Sequence, residues 1–546
     1  MTEEERKTFV EDLNTFYCRF DSQDFSRERE ERCKELEERV GGWEVPEVTV
    51  EEVEKVFKRL NVHKACGPDQ ISGKVLKTFS KELAPIYCDV FNKSLSDHVV
   101  PTAWKAATIC PVPKKSRPST LNDYRPIALT SILMKCLERL ILKQLKLETK
   151  EEVDPLQFAY RQNRGVEDAV LTLMHETLAH INNKGSYARI LFVDFSSAFN
   201  TVQTHLLIPK LSAMNVSPHL ALWIADFLSN RTQQVCVRQE LQGPSSSSSS
   251  NSDKSTVSNN TNPDIATSTH CVSSIRSINT GTPQGTVISP FIFTLYTNDC
   301  RSRDDRQHTI KFSDDTAVVD LTDSEAHFEN SVRDFSDWCK QNFLELNVGK
   351  TKEMVVDFKT DRTDVGALQI NGQVVERVAE YKYLGTVIDN KFKFKKNTEI
   401  IHKKCRQRMV MLYQLRSLMV SSKILIQCYQ AFVESILTFS FVCWFGSLDV
   451  SDRKIILRIA KQCGKIVGKK DIDLVNLYKK RVILKAKKIL RDPSHYMFQL
   501  FETLPSNTRF RAIKCKTMRF QNSFFPTAIR YINETNGRSR RRDDNA

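Results

Sequence analysis

The sequence predicts an α/β protein, and three observations carry that prediction. Short apolar runs of strand length alternate with amphipathic helical periods over most of the chain. In IKFSDDTAVV, two apolar runs flank a polar tip, which is a hairpin pattern. From about residue 395 onward the pattern turns helical and basic. The 546 residues are enough for roughly two to four domains. A composition of 40% hydrophobic and 27% charged residues can build a buried core and excludes a disordered chain. The longest apolar run, Ile436–Phe445, is too short to span a bilayer, so no membrane partner is expected.

Taken in order, residues 1–48 read as a helical N-terminal segment. Glu and Arg recur at i, i+4 spacing through residue 40, and GGWEVPEVTV breaks the pattern. Residues 49–390 open with the amphipathic period VEEVEKVFKRL, the Gly/Pro turn KACGPDQIS and a second helical period in LAPIYCDVFNKSL. ATICPVPKK reads as a strand entering a basic loop, YRPIALTS as its partner strand, and ILMKCLERLILKQLK as a strong amphipathic helix. ARILFVDFSSAF begins as a buried strand. TVISPFIFTLYTNDC reads as a helix opening after Gly285, and SVRDFSDWCKQNFLEL as another helix. EMVVDF and YKYLGTVID read as short strands. Residues 243–269, rich in Ser, Asn and Thr, cannot bury a core and are expected to be a disordered, tolerated insertion. Residues 391–491 form a basic helical region. Residues 492–546 form an extension whose basic run 538–542 reads as a nuclear address or as a solvated tail.

Charge is unevenly spread. The net charge is −7 over residues 1–60, −1 over 61–390, +18 over 391–491 and +5 over 492–546, which together give the +15 of the chain. A neutral centre followed by a basic third suggests a polyanion-binding face, with a Lys-rich solvated helical surface as the alternative. The 15 cysteines include no CxxC pair, which reads as reduced thiols and excludes a zinc knuckle. With the charged N-terminus MTEEERKTFVEDLN, they point to an intracellular protein without a secretory signal, nuclear or cytoplasmic.

Two places put Asp where it is costly. Asp194 ends the apolar run LFVD, and Asp314 and Asp315 occupy the hairpin tip. Neighbouring carboxylates repel and need a compensating cation. Oxygen donors on strand ends suit Mg²⁺, and two such ions can clamp the attacking and leaving oxygens of an in-line phosphoryl displacement.

The ordered series PVPKK, LNDYRPIALTS, DPLQFAYRQNRGVEDAV, FVDFSSAFNTV, TGTPQGTVISP, FSDDTAVV, LNVGKTKEMVVDF and YKYLGTVID resembles the reverse transcriptase of non-LTR (LINE-type) retrotransposons. The likeness runs from about residue 50 to 395 and continues more loosely to the C-terminus. It implies a right-hand polymerase, with fingers and an α/β palm in 49–390 and a helical thumb or connection in 391–491. The implied reaction is RNA-directed DNA synthesis on an RNA template and DNA primer from dNTPs, with two Mg²⁺ or Mn²⁺ ions. Asp194, Asp314 and Asp315 match the metal-binding aspartates, and Lys350 matches a lysine that protonates departing pyrophosphate. Lys114 and Arg125 match triphosphate-binding cations, and Phe199 the bulky residue under the incoming sugar. Pro283, Gln284 and Gly285 match the nucleotide loop, and Tyr383, Leu384 and Gly385 the primer grip. Gln157 and Arg161 fall in a segment the family uses against template or fingers. Tyr413, Tyr429 and Trp444 lie in the basic third, as base contacts or as packing. The resemblance also sets an expectation that this chain lacks the upstream endonuclease of full-length elements. The Ser-rich insertion either leaves through a surface loop or displaces the strand feeding TGTPQG. The alternative to the enzyme is a catalytically silent, truncated relic that binds nucleic acid through its basic third.

Overall fold

The computed structural model describes residues 2–183, 187–238, 270–359, 365–469, 472–505, 507 and 509–543; the expected disordered insertion at 243–269 lies outside them. In chain order the strands are β1 (Ala106–Pro113), β2 (Tyr124–Thr130), β3 (Ala188–Val193), β4 (Arg231–Arg238), β5 (His270–Val272), β6 (Arg276–Ile278) and β7 (Gln307–Phe312). There follow β8 (Asp315–Asp320), β9 (Lys352–Val356), β10 (Gln369–Ile370), β11 (Gln373–Val374), β12 (Glu376–Arg377), β13 (Glu380–Tyr383) and β14 (Thr386–Asp389). Helices fill most of the remainder. Two compact units result. The first comprises Met1–Lys150 and Phe199–Tyr296, the second Glu151–Ala198 and Thr297–Ala546.

In the first unit a sheet of order β2-β1-β4-β5, with β6 also on β4, is built around the β1–β2 hairpin. β1 begins by alternating, so Ala107 and Ile109 face inward. They meet Ala128, Val235 and the N-terminal side chains Val10, Leu13 and Tyr17 in one apolar cluster. The N-terminal segment is two helices, Glu3–Tyr17 and Ser26–Glu37. A Thr2–Glu5 capping box starts the first. Between the two, Asp21 accepts from Asn279 N–H at 3.1 Å and Thr280 Oγ1 at 2.7 Å. The buried Asn14 donates to Ser273 Oγ and Ser274 O and accepts from Gln233.

β4 and β5 pair antiparallel, with Arg238 opposite His270. The two ends of the insertion therefore leave from paired positions at one hairpin end. β6 still pairs with β4, Arg231 opposite Ile278, so the strand feeding the Thr280–Gly285 loop keeps its place and is not displaced. Joining Arg238 to His270 through a two-residue turn removes about four doublings of loop length. Loop-closure entropy alone then predicts a gain of ~2 kcal/mol, read as a rise in unfolding temperature. A fall would show that the insertion contributes structure of its own.

The second unit holds a sheet of order β12-β9-β3-β8-β7. β3, ARILFV, is central and buried at all six positions. Its one charge, Arg189, is offset by the fully buried Glu353, whose Oε1 accepts from Arg189 Nε at 2.6 Å. The core of this sheet is continuous with the basic helical region. Ile190 and Phe192 share one cluster with Leu412, Tyr429, Trp444 and Tyr478, and with Phe524, Phe525 and Ala528 near the C-terminus. Tyr429 and Trp444 are fully buried and are packing residues, whereas Tyr413 is exposed. Asp168, at the start of helix Val166–Asn182, accepts from Lys485 at 2.6 Å and from His495 at 3.1 Å. Burial works to raise its carboxyl, yet His495 and Lys485 hold it below its ordinary value. None of the fifteen cysteines is in a disulfide, and among the described residues no single helix is long and apolar enough to cross a membrane.

Candidate active site

The second unit brings the three aspartates to one end of its sheet. β3 pairs antiparallel with β8, Val193 opposite Thr316, so Asp194, one residue further, falls level with Asp315. β7 and β8 close through Ser313 and Asp314, with Phe312 opposite Asp315. Ser313 takes φ = 63°, the left-handed setting that a tight hairpin turn demands. Beyond Asp194 the chain is held by its neighbours. Asn347 N–H donates to Asp194 O at 2.9 Å, Ser196 N–H to Glu345 O at 2.8 Å, and Asp194 N–H to Thr351 Oγ1 at 3.3 Å.

The electrostatics are those of crowded negative charge. Asp315 is pushed up to about 6, first by lost hydration and then by the charges of Asp314 and Asp194. Its side chain reaches solvent, but enough protein surrounds it to strip part of its water. Asp194 Oδ2 is buried without a hydrogen-bond partner, and Lys350 Nζ stands 3.5 Å from it. Among the described residues no three His, Cys, Asp or Glu side chains are drawn together tightly enough to form a ready-made metal cage. The donor set nonetheless suits a hard divalent cation, since three like charges and an orphaned carboxylate oxygen meet at one sheet end.

β13 and β14 make the hairpin that carries Tyr383, Leu384 and Gly385. Tyr383 lies opposite Thr386, and both turn residues have positive φ, 46° at Leu384 and 86° at Gly385. A Cβ on Gly385 would come within 2.9 Å of the Phe439 ring, so the turn is closely packed. Tyr383 is buried with its hydroxyl unpartnered, and burial pushes the phenol up. Its neighbour on the same face, Tyr381, stacks on Phe192 at 4.1 Å. Burial and then the charges of Asp315 and Asp194 raise the Tyr381 phenol. The more open aromatic beside the carboxylates is therefore Tyr381, which the motif reading passed over. Its alternation with Tyr383 was the available signal.

The residues that match the family's nucleotide loop and triphosphate cations belong to the first unit. Phe199 packs on Phe293 at 4.9 Å, and its carbonyl accepts from Thr282 N–H at 2.7 Å. Gln284 Nε2 donates to Asn200 Oδ1 at 3.3 Å, which ties the Pro283–Gly285 loop to the Phe199 segment. Gly285 takes φ = 124°, and a Cβ there would sit 2.7 Å from Ala128 O. The close approach that demands this glycine is to β2 of its own unit. Lys114 and Arg125 share one face of the β1–β2 hairpin, Arg125 opposite Val112. Arg125 is exposed, whereas Lys114 donates to Asn122 O at 2.6 Å.

Sequence reasoning also missed Glu138. This fully buried carboxylate accepts from Val287 N–H and, at 3.0 Å, from Ile288 N–H, just beyond the loop. Burial pushes it up to about 7 against those hydrogen bonds. The folded chain therefore favours protonated Glu138. That contribution is complete below the ordinary carboxylate range and is lost as pH rises through about 7. Glu138→Gln keeps the acceptor without the charge. Its unfolding temperature should fall less than the wild type's as pH is raised from about 4.5 to about 7, and parallel curves would remove the assignment.

A sheet antiparallel from β9 through β7, with carboxylates at the end of its central strand and at an adjoining hairpin tip, is the arrangement expected of a polymerase palm. The reverse transcriptase (RNA-dependent DNA polymerase) family matches residues 112–388, about half of the chain, and the chain belongs to that family. Over 417 residues it is 25% identical to the RNA-directed DNA polymerase from mobile element jockey of Drosophila melanogaster, covering 74% of this chain and 41% of that protein. It is 24% identical over 379 residues to a probable RNA-directed DNA polymerase from transposon BS of the same fly, covering 67% and 38%. It is 21% identical over 441 residues to the Pol polyprotein of type-1 retrotransposable element R1 of Bradysia coprophila, covering 77% and 39%. The likeness to non-LTR retrotransposon reverse transcriptases is borne out. The chain spans about two fifths of the length of these relatives.

Proposed function

We propose that the chain is the RNA-directed DNA polymerase of a LINE-type retroelement, adding dNMP to a primer 3′-OH on an RNA template. The observation that carries this reading is the convergence of Asp194, Asp314 and Asp315 on one end of a β-sheet whose strand order and register leave them adjacent. The primer 3′-oxygen bonds to the α-phosphorus of the dNTP, the α–β phosphoanhydride bond breaks, and pyrophosphate leaves. Asp194, Asp314 and Asp315 would hold two Mg²⁺ or Mn²⁺ ions, which when bound lower the cost of the 3′-alkoxide and offset charge on the leaving oxygen. Lys350, a cation next to Asp194, donates a proton to the departing pyrophosphate. Lys114 and Arg125 hold triphosphate oxygens, Phe199 lies under the sugar and rejects a 2′-OH, and Pro283–Gly285 shape the nucleotide's seat. The Tyr383–Gly385 turn steadies the primer end. In this layout residues 49–390 are fingers and palm, and 391–491 the thumb. The exposed Lys393, Lys395, Lys396, Lys403, Lys404, Arg406 and Arg408 of the latter neutralise duplex phosphates without reading sequence.

The test is primer extension by the full chain on an RNA template with Mg²⁺ or Mn²⁺, comparing dNTPs with NTPs. Extension with dNTPs preferred is the expected result. Salt-sensitive template binding without any incorporation would overturn the reading.

A further inference from the structure

We infer that Gln157 is a positioning residue for the catalytic tip: its side-chain amide holds Ser313 in the left-handed conformation that presents Asp314 and Asp315. The inference rests on the polymerase reading of those aspartates. Ser313 is the weak point of the hairpin. A two-residue turn with positive φ ordinarily employs Gly or Asn, and Ser has no intrinsic preference for φ = 63°. Something outside the turn must impose it.

The segment 154–160 supplies that constraint. It lies along β7 as an extra strand-like edge. Lys311 N–H donates to Leu156 O and Phe158 N–H to Lys311 O, each at 2.9 Å. The segment is anchored by Asp154, which pairs with the buried Lys311 Nζ at 2.7 Å; the same ammonium donates to Thr297 O and Cys300 O. From this rigid edge Gln157, 1% exposed, turns its Oε1 to the tip and accepts from Ser313 N–H at 3.3 Å and from Ala159 N–H at 3.0 Å. Two converging N–H donors fix which end of the amide points there, because a flipped amide would oppose donor to donor. That orientation is kept even though Nε2 is left buried without a partner. Tyr160 adds a second tie from the same segment, its hydroxyl 3.2 Å from Ser313 Oγ. The motif reading placed Gln157 against template or fingers; its burial and its bonds place it behind the aspartates.

The experiment measures kcat, the dNTP KM, the half-saturating Mg²⁺ concentration and the unfolding temperature for the full chain. It compares wild type, Gln157→Ala, Gln157→Ala with Ser313→Gly, and Tyr160→Phe. Misaimed aspartates should cost Gln157→Ala about 30-fold in kcat and several-fold in Mg²⁺ requirement, with the dNTP KM changed less than about 2-fold. Adding Ser313→Gly should restore most of the loss, because Gly adopts positive φ without steric cost, whereas a lost packing contact would not be restored. Wild-type kcat in Gln157→Ala, or a loss that Ser313→Gly leaves untouched, overturns the inference. If Gln157→Ala unfolds below the assay temperature, the half-exposed Tyr160→Phe decides. An approximately 3-fold lower kcat with a raised Mg²⁺ requirement supports positioning, and wild-type values overturn it. A wild-type chain that cannot extend primers refutes the polymerase reading itself, and the inference with it.

Discussion

Asp314→Asn together with Asp315→Asn is expected to abolish primer extension, a loss of at least ~10⁴-fold, while the chain stays folded and still binds template. The two halves of that expectation have separate causes. The loss follows from removing two of the three carboxylates that the β3–β8–β7 register sets side by side. The retained fold follows from the electrostatics. Asp315 is raised to about 6, so its ionised form is disfavoured where it stands, and a neutral amide relieves that repulsion. Above pH 6 the double variant should unfold at the same temperature as the metal-free wild type or a higher one. Calorimetry and salt-dependent template binding, run beside the extension assay, separate the two causes. Extension near the wild-type rate would sink the assignment of the aspartates, and a collapsed unfolding temperature would show that they hold the sheet together.

The second large effect is expected at Gly285. Changing it to Ala asks an L-residue to take φ = 124° and drives a methyl to within 2.7 Å of Ala128 O. Backbone strain of this kind costs ~1–3 kcal/mol, and crowding a packed strand adds a comparable amount. The obstacle is backbone, which cannot swing aside as a flexible side chain does, so the loop must move. The hydrogen bond from Ala128 N–H to Gln284 O, 2.7 Å long, is then lost or stretched. A drop in unfolding temperature with a raised dNTP KM is the expected pattern. A variant as stable as wild type but with reduced nucleotide affinity would return the glycine's role to the nucleotide.

Most of the architecture was legible because its signals are local. The run ARILFV, six apolar-facing positions with one paired charge, could only be a central strand, and the two runs around SDD could only pair with each other. The three aspartates were visible for the same reason, as polar residues at the ends of apolar strands. What the sequence hid depends on long-range partners. Gln157 and Ser313 are 156 positions apart, and nothing in either neighbourhood announces the other. Glu138 reads as one of several charges on an amphipathic helix until Ile288, 150 positions later, arrives to donate to it. Gly285 was recognised, but its neighbour was not, because close approach in a glycine loop can be to a ligand or to the chain itself. In the motif at Tyr383 the turn residues carry the resemblance, and Tyr381 becomes visible only once both rings are seen to meet Phe192 on one face.

The continuous core of the second unit also sets a schedule for synthesis. The sheet bearing the aspartates packs in the same cluster as Phe524, Phe525, Ala528 and Ile529, roughly 200 positions beyond β8. A ribosome that has already made β3, β7 and β8 has not yet made these members of their cluster. That cluster cannot be complete before residues 524–529 are made, so a message cut short before residue 524 yields a chain that carries Asp194, Asp314 and Asp315 on a sheet whose core lacks part of its packing.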